Sequence, residues 1–246
     1  MRYFLEVSYK GTNYSGFQSQ INANTIQAEV EKALQTIIKK RIELTGSSRT
    51  DTGVHAFQNY FHFDIEKEVS SKLIYNLNAI LPADIAAKNL IKVKDDAHCR
   101  FDAVSREYKY FIYKKKNPFL TDKAFYFPYT LDVEVMQKAA EIVTQYSDFT
   151  SFSKRNTQVK SFECHIRESK WMLEHESIVY TVQANRFLRG MVRALTATML
   201  KLGRGKMNVT DFRKIIEAKD CTLANFAVPA HGLFLVSVSY PDNYFK

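Results

Sequence analysis

The segment Gly46-Ser47-Ser48-Arg49-Thr50-Asp51-Thr52-Gly53-Val54-His55-Ala56 brings small, hydrogen-bonding and titratable groups together in one short stretch. Its chemistry centres on Asp51, because a carboxylate is a nucleophile or a base. Arg49, two residues earlier, supplies a charge that favours the ionised form. Taken alone, the same residues are also a polar turn, in which Asp51 bonds backbone amides, Gly53 takes a positive φ and His55 starts the next strand. A second group lies at Arg186, Arg189 and Arg193, whose spacings of three and four predict one basic face on an otherwise apolar helix. Such a face suits an anionic partner. We find neither a phosphate-binding loop nor metal-ligand spacing. Cys99, Cys164 and Cys221 are too scattered for a disulfide framework or a zinc knuckle, which points to a reducing compartment.

These residues need elements to hold them. Tyr3, Leu5, Val7 and Tyr9 alternate as a first strand, followed by a Gly11 to Gly16 loop. Asn24 with Gln27 predicts a capping-box-like helix start. Ile26, Val30, Ala33, Leu34 and Ile37 recur at helical spacing, and Lys39, Lys40 and Arg41 close the helix where cations suit its dipole. The Asp51 segment then leads into an aromatic strand around Phe57 to Phe63. A second helix ends near Pro82, and Leu90 to Val93 reads as a strand. From about residue 104 the pattern restarts, with a strand over Tyr108 to Tyr113 and a helix over Asp132 to Tyr146. Two strands follow, around Trp171 and Val179 to Val182, then a helix from Phe187 to Leu202 stopped by Gly203, a last helix, and a strand from Leu233 to Tyr240. The order suggests two β-α-β-rich halves, 1–104 and 105–246, compatible with ferredoxin-like modules and an α+β class.

The 246 residues include 46% hydrophobic side chains with only 8 Gly and 5 Pro, which excludes a disordered chain. A net charge of +9 favours a polyanionic partner, and nucleic acid is the first candidate. The amino terminus lacks the apolar core of a signal peptide, and no apolar run spans a bilayer. We expect a cytoplasmic protein without membrane contact.

The segment around Asp51 resembles the active-site signature G-x-G-R-T-D-x-G-V-H of the TruA-type tRNA pseudouridine synthases, with Ser48 in place of the second glycine. Tyr9-Lys10-Gly11-Thr12-Asn13-Tyr14-Ser15-Gly16-Phe17-Gln18 is similar to the family's first loop, with Lys10 where an aspartate is customary. Arg100-Phe101-Asp102-Ala103 with Arg106-Glu107-Tyr108-Lys109-Tyr110 resembles its second motif. Asp148 to Phe152, Phe187-Leu188 with Met191-Val192-Arg193, and Gly232-Leu233 before Leu235-Val236 continue the series. Ala194 and Ala197 depart from the asparagine and glycine usual there.

The resemblance implies two tandem ferredoxin-like (RRM-like) halves sharing a central antiparallel sheet, with a catalytic cleft between them and a homodimer that binds tRNA at the anticodon stem-loop. It implies that uridines at positions 38, 39 and 40 become pseudouridine. The uracil would detach from its ribose, turn, and rejoin through carbon 5. Asp51 would be the catalytic residue, and three routes fit it: attack on the ribose, attack on the base, or abstraction of a ribose proton. Arg193 would pair with that carboxylate. Tyr108 would stack on the extruded base, and Arg49 would bind RNA or help extrude it. An isomerisation adds and removes nothing, so no cofactor and no metal is expected. Two rivals are a non-catalytic RNA-binding protein on the same scaffold and a hydrolase using Asp51 and His55 around a metal, which would demand further ligands nearby.

Overall fold

The computed structural model of the chain describes residues 1–155 and 159–245. They form two compact units, one of Met1–Val104 with the chain from Phe234 onward, the other of Ser105–Leu233. The elements give an α+β fold.

In the first unit, β1 (Arg2–Tyr9) runs antiparallel to β3 (His55–Asp64) on one side and to β4 (Ile85–Val93) on the other. Flanked on both edges, β1 buries Phe4 as well as Tyr3, Leu5, Val7 and Tyr9. The helix α1 (Ile26–Ile38) buries Ile26, Val30, Ala33 and Leu34. Its N-cap is Thr25, one residue beyond the expected Asn24, with the Thr25 hydroxyl accepting from Ala28 N–H. Asn24 is engaged elsewhere: its carbonyl accepts from Ser15 N–H at 2.8 Å. The two-residue β2 (Thr45–Gly46) pairs with β3 and anchors one end of the Asp51 segment. The helix α2 (Leu73–Ile80) completes the helices of this unit.

The second unit contains β5 (Ser105–Tyr113), β6 (Phe125–Tyr126), α3 (Val133–Val143), β7 (Ile166–Glu174), β8 (Ser177–Ala184), α4 (Met191–Gly203) and α5 (Val209–Glu217). The strand β8 lies between β5 and β7, antiparallel to both. Almost every residue of α4 is buried, so this helix is the unit's core element. It starts four residues later than the spacing predicts, because Gly190 takes a left-handed φ of 75° and breaks the helical run. Arg186 and Arg189 therefore precede the helix. The expected basic face of Arg186, Arg189 and Arg193 on one helix does not form.

The last strand, β9 (Leu233–Ser239), lies beside β3 in the first unit. It runs parallel, with His55 opposite Phe234 and Ala56 opposite Leu235. The expected all-antiparallel sheet is thus corrected to a mixed one. A parallel pair requires a long crossover, and here the whole second unit separates the two strands in sequence.

Candidate active site

Asp51 occupies a short loop between β2 and β3 that is half-buried and held from three directions. The first loop of the chain lies beneath it. Phe17 N–H donates to Thr50 carbonyl at 3.1 Å, and a Cβ on Gly16 would meet that same oxygen at 3.0 Å. Gly16 also takes a φ of 104°, so glycine is required there twice over. Beside it, Gly11 packs on the Val54 backbone, and Gly11 N–H donates to His55 Nδ1 at 3.0 Å. From the strands, the Tyr9 hydroxyl bonds Thr50 Oγ1 at 2.8 Å, while Asn59 donates to both Tyr9 and the Ser48 carbonyl. Val54 N–H closes the turn on the Asp51 carbonyl, and Gly53 supplies its positive φ of 78°. The backbone on both sides of Asp51 is therefore immobilised by buried hydrogen bonds. Such fixation is what a carboxylate that must meet a reacting atom needs.

His55 begins β3, as its position suggests, and is almost wholly buried against Phe234 with ring centroids 4.5 Å apart. With Nδ1 accepting from Gly11, this imidazole is part of the scaffold. The hydrolase alternative built on Asp51 and His55 loses its second group.

Arg49 lines a cavity of about 190 Å³ in the first unit, together with Phe17, Thr45, His98, Arg100 and Phe101. The segment His98–Asp102 beside it is a tight turn. His98 N–H donates to an Asp102 carboxylate oxygen at 2.7 Å, and the His98 ring accepts at Nδ1 from the amides of Arg100 and Phe101. In the sequence this stretch stands out only through the resemblance of Arg100-Phe101-Asp102-Ala103 to the second motif. Its orientation of Phe101 toward solvent was not legible from residue types.

In the second unit, Tyr108 sits in β5 opposite Val182, is 8% exposed, and meets Phe187 edge to face at 5.1 Å. This contact favours one orientation of its ring. Arg193 stands in the first turn of α4 and donates from Nε and Nη2 to the Val228 carbonyl, at 3.0 and 2.6 Å. A guanidinium has five N–H donors, so this anchorage still leaves it able to hold a further acceptor. The next carbonyl, of Pro229, accepts from the Tyr110 hydroxyl at 2.7 Å. Burial pushes the Tyr110 phenol far above its ordinary range, which keeps it a neutral donor. A Cβ on Gly232 would strike the Tyr110 ring at 2.6 Å, which explains glycine at that motif position.

Among the described residues one group brings together side chains of metal-ligating type. His62, His98 and Cys99 bring their ligand atoms within 4.8 Å of one another. The His98 Nδ1 lone pair is already taken by two amides, which places the hydrogen of the neutral ring on Nε2. His62 Nδ1 accepts from Cys99 N–H and also faces the Cys99 thiol at 3.2 Å. The Cys99 thiol in turn donates to the Thr45 carbonyl. These donors are committed to the turn itself and do not fit an ion. Burial, reinforced by Arg2, pushes the His62 ring down to about 4, so it is neutral near pH 7.

A family model described as tRNA pseudouridine synthase matches residues 6–102 and 146–241. The chain is similar along its length to proteins named tRNA pseudouridine synthase A. That of Bacteroides fragilis is 46% identical over 248 residues, covering 100% of this chain and 98% of the relative. That of Parabacteroides distasonis is 44% identical, covering 99% and 98%. That of Staphylococcus aureus is 37% identical, covering 99% and 92%. Among the described residues no helix is long and apolar enough to cross a membrane.

Proposed function

The chain belongs to the tRNA pseudouridine synthase family, and from that premise we propose that it isomerises uridines 38, 39 and 40 in the anticodon stem-loop of tRNA with Asp51 as its nucleophile. It is an enzyme of the isomerase class. The reaction breaks the bond between ribose and uracil nitrogen 1 and forms one to carbon 5. The carbon 5 proton leaves and nitrogen 1 gains one, so the atoms balance without a co-substrate. The observation that carries this reading is the anchoring of the Thr50-Asp51 backbone by Gly16, Phe17 and Tyr9. It leaves one carboxylate with a defined position.

For the other residues we propose the roles that the family resemblance implies. Tyr108 receives the extruded base on a ring whose orientation is favoured by Phe187. Arg193 supplies positive charge to the catalytic carboxylate from a guanidinium anchored on Val228. Arg49 contacts the RNA from the same loop as Asp51. We extend the proposal to a ferredoxin-like description of each half, to a homodimer and to a cytoplasmic setting. The net charge of +9 favours the phosphate backbone of tRNA.

The test is incubation of the purified protein with an unmodified tRNA transcript in EDTA, followed by carbodiimide labelling and primer extension. Pseudouridine stops in the anticodon arm are expected. Tight tRNA binding without any such stop, across several tRNAs, would instead establish the non-catalytic RNA-binding reading.

A further inference from the structure

Phe101 is 73% exposed, an unusual place for a large aromatic ring. It is not on a loose loop. The amides of Arg100 and Phe101 donate to His98 Nδ1, and Asp102 accepts from His98 N–H. The turn is also fastened to the carboxy-terminal segment of its own unit. Tyr240 donates to the Cys99 carbonyl at 2.6 Å, and Tyr244 donates to the Asp102 carboxylate. At least five hydrogen bonds fix the turn that carries the ring, so the ring projects from a defined backbone position.

Its surroundings define what it faces. The Arg100 guanidinium lies 5.6 Å from the Phe101 ring centre, and the His98 ring lies 4.2 Å away on a tilt of 35°. The adjoining cavity of about 190 Å³ is bounded by both Arg49 and Arg100. No acidic residue among the described residues bounds it. Two guanidiniums and no carboxylate around one small cavity select an anion. An outward aromatic on a fixed turn beside them selects a planar ring. The cavity is far smaller than a helical stem, so the occupant is a single nucleotide.

We propose that Phe101, Arg100 and Arg49 form a nucleotide subsite that stacks an unpaired base on Phe101 and clamps its phosphate between the two arginines. This rests on the tRNA reading above and extends it. Arg49 is two residues from Asp51, so the nucleotide held here neighbours the target uridine in the RNA chain. Only an unpaired base offers the open face that stacking needs, so the subsite selects loop or extruded nucleotides over paired stems.

The experiment measures the dissociation constant for an unmodified tRNA transcript by filter binding, with pseudouridine formation followed on the same preparations. Phe101→Leu keeps an apolar side chain but removes the stacking face, and should raise the dissociation constant about tenfold. Phe101→Trp restores the face and should return affinity to within about twofold of the wild type. Arg100→Gln should weaken binding and reduce its salt dependence by about one phosphate contact. Unchanged thermal melting of Phe101→Leu confirms that the fold is intact. Wild-type affinity in Phe101→Leu, with the wild type still forming pseudouridine, overturns this subsite alone. Failure of the wild-type protein to bind tRNA or form product overturns the underlying reading as well. Unchanged tRNA affinity accompanied by a changed sedimentation coefficient in Phe101→Leu assigns the ring to a protein contact and equally overturns the subsite.

Discussion

A Cβ added to Gly11 would lie 2.0 Å from the carbonyl oxygen of Val54. The first loop and the Asp51 loop can seat against each other only because position 11 has no side chain. The obstacle is backbone, which cannot rotate aside as a flexible side chain could. Gly11→Ala should therefore cost about 1–3 kcal/mol of stability, the usual penalty for forced overpacking, and should displace the Asp51 loop. Urea unfolding compared with turnover checks this, and wild-type values for both would contradict the proposed packing role.

The Tyr9 hydroxyl links Thr50 and Asn59 in a buried network. Tyr9→Phe keeps the ring and removes the link, leaving the Thr50 hydroxyl short of a partner. Stability should fall by about 1–2 kcal/mol. If the network positions Asp51, turnover should fall by a larger factor, on the order of ten- to a hundredfold, because small misplacements of a reacting group are expensive. A loss of stability with full turnover would confine the network to a structural role.

His62 gives a pH dependence with a definite sign. Its ring is held at about 4 in the folded protein, first by burial and then by Arg2 and His98. Unfolded histidine titrates near 6.5, so between these values the unfolded state binds the extra proton. The contribution is complete above pH 6.5 and is lost as the pH falls toward 4, amounting to about 3 kcal/mol. Asp64 and Asp102, held below the ordinary carboxylate range, lose their contributions at still lower pH. Urea midpoints at pH 7.5 and 4.5 should separate strongly in the wild type and less in His62→Gln. Parallel losses in the two proteins would remove His62 as the cause.

Arg193 anchors on the Val228 carbonyl through two donors. Arg193→Lys keeps the charge but not the paired geometry, whereas Arg193→Ala removes both. Arg193→Ala should lose about 1–3 kcal/mol of stability from the orphaned carbonyl, and Arg193→Lys less, because its ammonium keeps a donor. If the charge serves the catalytic carboxylate, alanine should lower turnover at least tenfold more than lysine does. Equal turnover in the two variants would reduce Arg193 to a structural clamp.

The periodic elements were the most legible. Ile26, Val30, Ala33 and Leu34 announce α1 because their spacing places them on one buried face. Where backbone conformation overrides pattern, legibility fails. Gly190 looks neutral in a helical run, yet its positive φ delays α4 and separates Arg186 and Arg189 from Arg193. The parallel pairing of β9 with β3 could not be seen, since nothing in the apolar run Leu233 to Val236 records which neighbour it finds. At the candidate site, Asp51 stood out through the polar density around it. Its support by Gly11 and Gly16 did not, because the contact is made by an absent Cβ. Phe101 was hidden for the opposite reason: residue type alone assigns a phenylalanine to a core, and only the fastened turn reveals one projecting into solvent.

The central claim is that the Asp51 carboxylate performs the isomerisation. The decisive measurement compares wild type and Asp51→Asn, an uncharged substitution of the same shape, for pseudouridine formed in an unmodified tRNA transcript and for tRNA affinity. We predict no detectable pseudouridine from Asp51→Asn, with tRNA affinity within about threefold of the wild type, because uniform binding does not depend on the nucleophile. Substantial pseudouridine formation by Asp51→Asn would contradict the account.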